Sequence, residues 1–417
     1  MIDEMDTREP SVSRRGNRII MPGMASVHSH AFQRVLRGRT QRRATEAGSF
    51  WSWRRWMYAL AERLDPDDLF HISRFAFVEL AMSGVTAVGE FHYLHHDRDG
   101  APYDDRVLLA ETVIRAAREA GLRIALIRTC YFRAGWRRTL ESAQRRFCDA
   151  SVEDALRDVE TLQRRFAGDP MVRIGLAAHS VRAVPRSHIM ELAAYARERA
   201  LPFHMHISEQ RHEVDECIEE YGLSPVALLD RMGVLDERFV AIHATHLDND
   251  EIRALGEARA FVCLCRTTER DLGDGCPPTR PLVQAGARLC VGADSHASSD
   301  AFEEIRAVEL DERSRLEMRH AVAEAPELLR AATQYGYQAI GMGQAWRDDA
   351  VSLNADDPSF ASLNDELLVD GLIFNATPRA IDQVTIAGRT VVAEGTHIHY
   401  EEARRGYETT LRRLGFL

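Results

Sequence analysis

Short apolar runs recur along this chain, and each gives way to a polar or titratable residue. The first, residues 24–28, follows a Pro22-Gly23 turn and reads as a buried strand. Further runs at 86–91, 123–129, 172–178, 202–207, 239–243, 260–265 and 288–293 are strand-length, apolar and bounded by turn residues. Between them lie segments with apolar positions every three or four residues, at 67–83, 105–119, 152–166, 187–199, 224–232 and 249–257, with a shorter one at 278–286. That spacing predicts amphipathic helices. Strands alternating with helices predict parallel pairing, and eight such units are the number in a (β/α)8 TIM barrel of the α/β class.

The ends of the chain follow another pattern. Residues 1–20 are too few for a domain and finish in Asn17-Arg18-Ile19-Ile20, which predicts one edge strand. Residues 34–48 are polar and Arg-rich, and are expected to form a mobile loop. A helix over 50–64 opens with Phe50-Trp51-Ser52-Trp53-Arg54-Arg55-Trp56, whose tryptophans suit either a core face or the wall of a pocket. After the eighth strand, 302–318 and 324–340 predict helices. Residues 349–398 predict short strands, including 365–375 and 383–394, and 401–414 a closing helix. A lone hairpin is only marginally stable, so the N-terminal strand (1–20) is expected to join the C-terminal segment (341–417) in a small β-sandwich-like domain beside a barrel spanning 21–340.

Composition narrows the function. The formal charge of −11 does not favour a nucleic-acid or anionic-membrane surface. No apolar run is long enough to span a bilayer, and the N-terminus lacks the apolar core of a secretory signal, so a cytoplasmic protein is expected. Seven scattered cysteines read as free thiols, with Cys263 and Cys265 packed on a core strand. All 53 basic residues are arginine. The absence of lysine excludes a Schiff-base lysine, a Walker A lysine and a carbamylated lysine bridging two metals.

Chemistry collects at the strand ends, where barrel active sites lie. Strand one ends in His28-Ser29-His30, strand four in His179, and strand five in His204-Met205-His206-Ile207-Ser208-Glu209. Strand six ends in His243-Ala244-Thr245-His246 and strand eight in Asp294-Ser295-His296. Residues two apart on a strand share a side, so His28 and His30 can converge on one divalent ion. The ligand set that fits best is His28, His30, His206 and Asp294. His204 competes with His206, and one of the two is expected to face away from the pore; Glu209 just beyond favours His206.

These residues resemble the amidohydrolase superfamily in its mononuclear deaminase branch. Among its members the likeness is to the N-formimidoyl-L-glutamate deiminases, over about residues 20–320. It is carried by Pro22-Gly23-Met24, Ser49-Phe50-Trp51-Ser52-Trp53-Arg54, Glu90-Phe91-His92-Tyr93, His179 to Val184, Thr267-Thr268-Glu269 and Leu272-Gly273-Asp274-Gly275. The resemblance implies one bound zinc ion, a homodimer, and hydrolysis of N-formimidoyl-L-glutamate to N-formyl-L-glutamate and ammonia in histidine degradation. It assigns Glu209, His243 and Asp294 to catalysis, and Gln33, Arg54, Tyr93, His179 and Arg182 to the dicarboxylate substrate. His246 and His296 are open between pocket and support. The alternatives are a deaminase of an aminated heterocycle, whose pocket would want few cations, and a non-catalytic metal binder, which would not need Glu209. Two departures stand out: Arg266 where the family usually has proline, a change expected to touch the pocket wall, and a short N-terminal segment.

Overall fold

A computed structural model describes residues 9–41 and 50–417, apart from the Trp51 side chain. Strands β1 (Ser13–Arg15) and β2 (Arg18–Pro22) form a hairpin where one strand was expected, turning at Gly16, whose φ of +62° an L side chain rarely adopts. Barrel strands follow: β3 (Met24–Ser29), β4 (Val85–His92), β5 (Arg123–Cys130), β6 (Val172–Ala178), β7 (Phe203–Ile207), β8 (Phe239–His243), β9 (Phe261–Leu264) and β10 (Arg288–Val291). They pair in sequence order, all parallel, as the eight-stranded sheet β3 to β10. Helices between the strands cover the outside of the sheet, the arrangement that strand–helix alternation predicts.

The seam between β3 and β10 closes just past the end of β10. There the Asp294 N–H donates to His28 O (3.0 Å), and the His30 N–H to Asp294 O (2.9 Å). Glycine is required at 292, because a Cβ there would sit 2.8–2.9 Å from the Cβ and backbone of His28. Barrel closure therefore sets the spacing of three expected site residues.

Residues 325–339, a helix broken by a π turn at Ala331–Tyr335, pack against the start of β3 and close the other end of the barrel.

The terminal segments make one antiparallel six-stranded sheet, ordered β1-β2-β11-β12-β13-β14, with β11 (Ala350–Asn354), β12 (Ile381–Ile386), β13 (Arg389–Ala393) and β14 (Thr396–His397). Among the described residues no second sheet completes a sandwich. Strands β12 to β14 pack on the barrel helix Pro66–Met82 instead, with Ile19, Met21, Val351, Val384 and Val392 buried. Residues 365–375, expected to be a strand, are a 3-10 turn and the helix Leu368–Asn375. Asn364 caps the 3-10 turn by accepting from Leu367 N–H, and Leu368, Leu372 and Ile373 bury one face of the helix, a spacing easily mistaken for a continuous apolar strand. Of the segment 34–48, residues 34–36 complete the 3-10 turn Ala31–Leu36, and 42–49 lie outside the described residues.

Candidate active site

The upper ends of β3 and β7 bring three imidazoles together. His28 Nε2 lies 3.1 Å from His206 Nε2 and 3.2 Å from Asp294 Oδ1, and His30 Nε2 lies 3.5 Å from the same Asp294 oxygen. Hydrogen-bond chemistry fixes two tautomers. His30 Nδ1 is 3.0 Å from Phe91 O and His206 Nδ1 is 3.1 Å from His179 O. A carbonyl can only accept, so both Nδ1 atoms carry the proton and both Nε2 atoms turn a lone pair inward. Burial first, then the neighbouring histidines, holds the pKa of His28 and His206 well below 6.5; burial with His28 lowers that of His30 to about 3. Neutral lone pairs packed this closely repel unless a cation lies among them. The donor nitrogens of His28, His30 and His206 fall within 4.8 Å of one another, as do the donors of His28, His243 and Asp294, so this His/His/His/Asp set fits one metal ion.

His204 is not turned away from His206. A period of two puts both on one face of β7, and His204 lies a layer deeper, where its Nε2 donates to Ala339 O (3.1 Å) in the segment that closes the barrel. Depth, not face, keeps it from the donor cluster.

Opposite the cluster stands His243, with backbone φ of +71° at the end of β8. Its Nδ1 lies 3.3 Å from Glu269, and its Nε2 lies 3.8 Å from Glu209 and 3.9 Å from Asp294 Oδ2. Burial alone would lower its pKa, but Glu209 and Glu269 outweigh it and hold the imidazole well above its ordinary value. Burial raises Glu209 above the usual carboxylate range, helped by Asp294 and opposed by His243. Asp294, at φ +46°, faces both groups: Oδ1 toward His28 and His30, Oδ2 toward His243. Non-glycine residues at positive φ are costly, and they gather here.

A pocket opens over these groups, lined among others by His30, His206, Glu209, His243 and Asp294. Gln33, Arg54, Tyr93, His179 and Arg182, all expected at the substrate, line it too. Gln33 donates to Tyr93 Oη (2.8 Å), Arg54 Nε to Tyr58 Oη (2.7 Å), and Arg182 to Tyr131 Oη (3.3 Å). Trp53 is wall, whereas Trp56 is 45% exposed. His296 bonds Ser29 Oγ (2.9 Å) beneath the cluster, and His246 packs beside Gly275 outside the pocket lining.

Several members of the site were not foreseen. Tyr58, Tyr131 and Phe147 line the pocket from three separate elements, and only Tyr131, directly after β5, carried a strand-end signal. Glu269 was recognised in a motif without a role; the fold gives each residue of that turn one. Thr267 N–H donates to Glu304 (3.2 Å), Thr268 Oγ1 meets Ser295 Oγ (3.0 Å) beside Asp294, and Glu269 holds His243. In the next motif Leu272 lines the pocket, Gly273 ends the helix at φ +73°, and Asp274 accepts from Gln210 beside Glu209. Arg266 is not on the pocket wall. It is buried behind the site, bonded to Glu269 and to Asp311 (2.7 Å).

An eight-stranded parallel barrel with this donor set and an acid–imidazole–acid row at its strand ends defines a hydrolase. The chain belongs to the amidohydrolase family, whose model matches residues 19–391. It is 35% identical to a formimidoylglutamate deiminase of Pseudomonas aeruginosa, an alignment covering 98% of this chain and 92% of that one. A 5-methylthioadenosine/S-adenosylhomocysteine deaminase of Natronomonas pharaonis is 27% identical, covering 90% of this chain and 82% of the relative. Among solved structures, an amidohydrolase from Brucella melitensis superposes with a TM-score of 0.88 at 30% identity, covering 97% and 96% of the two chains.

Proposed function

We propose that this protein hydrolyses N-formimidoyl-L-glutamate to N-formyl-L-glutamate and ammonia. The observation that carries the proposal is the pairing, in one pocket, of Arg54 and Arg182 with the Glu209–His243–Asp294 row. Two guanidinium groups suit a substrate with two carboxylates, because a planar donor fork matches a carboxylate. The similarity to a formimidoylglutamate deiminase supports the same reading.

His28, His30, His206 and Asp294 would hold a divalent ion, which we assign as zinc from the imidazole-rich donors and the resemblance. When bound, such an ion lowers the pKa of a water and polarises an electrophilic carbon. Phe91 O and His179 O keep the tautomers of His30 and His206 in the ligating form. Asp294 accepts the proton of the attacking water through the oxygen that faces His243. His243, charged between Glu209, Glu269 and Asp294, orients that water and balances charge on the tetrahedral carbon. Glu209, whose pKa burial raises, is the proton shuttle: it carries a proton to the leaving nitrogen, and His243 faces it across 3.8 Å. A ring amine would offer no carboxylate to the guanidinium groups that line the pocket, which disfavours a heterocycle deaminase.

The test is ammonia release from N-formimidoyl-L-glutamate by zinc-loaded protein, with Glu209→Gln and Arg182→Met in parallel. Turnover by wild type should be lost in the first variant and show a raised KM in the second. No release from folded, metal-replete protein would overturn the proposal.

A further inference from the structure

We propose that Tyr58 and Tyr131 are specificity-determining residues that donate their phenol protons to a substrate carboxylate, and so select the acid over its amide. The inference rests on the reading that the pocket takes a dicarboxylate.

The argument is a proton inventory. A phenol offers one O–H donor and accepts through its oxygen lone pairs, whereas guanidinium only donates. Tyr58 Oη accepts from both Arg54 Nε and Arg54 Nη2. Tyr131 Oη accepts from Arg182 Nη1 (3.3 Å) and from Gln144 Nε2 (2.7 Å). The orientation of Gln144 follows from its other end, because Oε1 accepts the Glu141 N–H at 2.8 Å. Each phenol therefore has its accepting capacity filled by donors, and neither has an acceptor for its own proton among the described residues. Both rings are buried, at 8% and 2% exposure, and both line the pocket. A buried hydroxyl without an acceptor is costly, and the open space beside it is the pocket.

Packing directs both phenols to one place. Tyr58, Tyr131 and Tyr93 surround the Phe147 ring, with centroids 6.0, 5.8 and 5.0 Å from it. Gln144 and Phe147 lie at either end of one short stretch, held to the helix Phe50–Ala61 by Arg146, which donates to Ala61 O and to Leu64 O (2.8 Å). The stretch 144–147 thus fixes the donors of the wall. The incoming group must be one that only accepts. A carboxylate meets that condition at both oxygens; a carboxamide turns an N–H₂ group toward donors and pairs with only part of the wall.

The test uses zinc-loaded protein with Tyr58→Phe and Tyr131→Phe. Calorimetric binding of glutarate, which needs no turnover, is the first readout. Kinetics with N-formimidoyl-L-glutamate and with its side-chain amide, N-formimidoyl-L-glutamine, are the second. Each variant should weaken glutarate binding and raise KM for the acid about tenfold or more, the loss expected for a hydrogen bond to a charged group. Saturated turnover should stay near wild type and the acid-to-amide preference should fall. A merely structural role would lower kcat and leave that preference unchanged. Wild-type glutarate affinity in both variants, or an unchanged preference, would overturn the assignment. Failure of wild type to turn over the acid, with glutarate binding still dependent on the phenols, would sink the proposed reaction and leave the donor assignment standing.

Discussion

Arg266→Met removes a guanidinium bonded to Glu269, whose side chain is fully buried. Removing one partner of a buried ion pair costs about 3–5 kcal/mol, mostly because the other charge is left uncompensated. Here the cost falls toward the low end. Glu269 keeps the Cys265 N–H (2.9 Å) and His243 Nδ1 (3.3 Å), and Asp311 keeps Arg270 (2.6 Å). We therefore expect a loss of about 3 kcal/mol. With an unfolding entropy of about 2.1 cal/mol/K per residue, that is a fall in Tm of roughly 3–4 °C for a chain this size. The assay is thermal unfolding of metal-loaded wild type, Arg266→Met, Glu269→Gln and the double variant. Because the cost comes from a stranded carboxylate, the double variant should be more stable than Arg266→Met alone, a strongly non-additive cycle. Glu269→Gln should lose most of its activity by removing the charge that orients His243. Additive losses, or an Arg266→Met Tm equal to wild type, would refute the reasoning and show that Arg266 does not neutralise Glu269.

Three further outcomes are expected. His206→Asn should abolish stoichiometric zinc binding measured by plasma emission, whereas His204→Asn should bind one zinc per chain and melt at a lower temperature. Dialysis against a chelator should remove both ammonia release and part of the thermal stability, since an ion that binds only the folded state stabilises it; zinc should restore both. Burial raises the Glu304 pKa from 4.5 to about 8, so the folded state holds this proton more tightly than the unfolded chain does. That contribution to stability is full below about pH 4.5 and is lost as pH climbs through 8. Glu304→Gln should flatten the fall in Tm between pH 5 and 9, and an unchanged profile would contradict it.

The period-two and period-3.6 patterns by themselves determined eight parallel strands, the helices between them, and a row of His, Glu and Asp at the strand ends. Those periodicities are local: side-chain direction along one strand needs no partner to be read. Family likeness then supplied Arg54 and Arg182, which composition alone could not separate from the other arginines. Tertiary structure decided the rest, because each remaining question concerned distance between elements. Barrel stagger set His204 one layer below His206, although both point the same way. Close approach at Gly292 brought Asp294 to His28. Packing around Phe147 gathered Tyr58, Tyr93 and Tyr131 from separate segments, and helix packing put Arg266 behind Glu269 and away from the pocket wall. Burial on a helix face likewise settled 365–375, where an apolar run suits a strand or a helix until its neighbours are known.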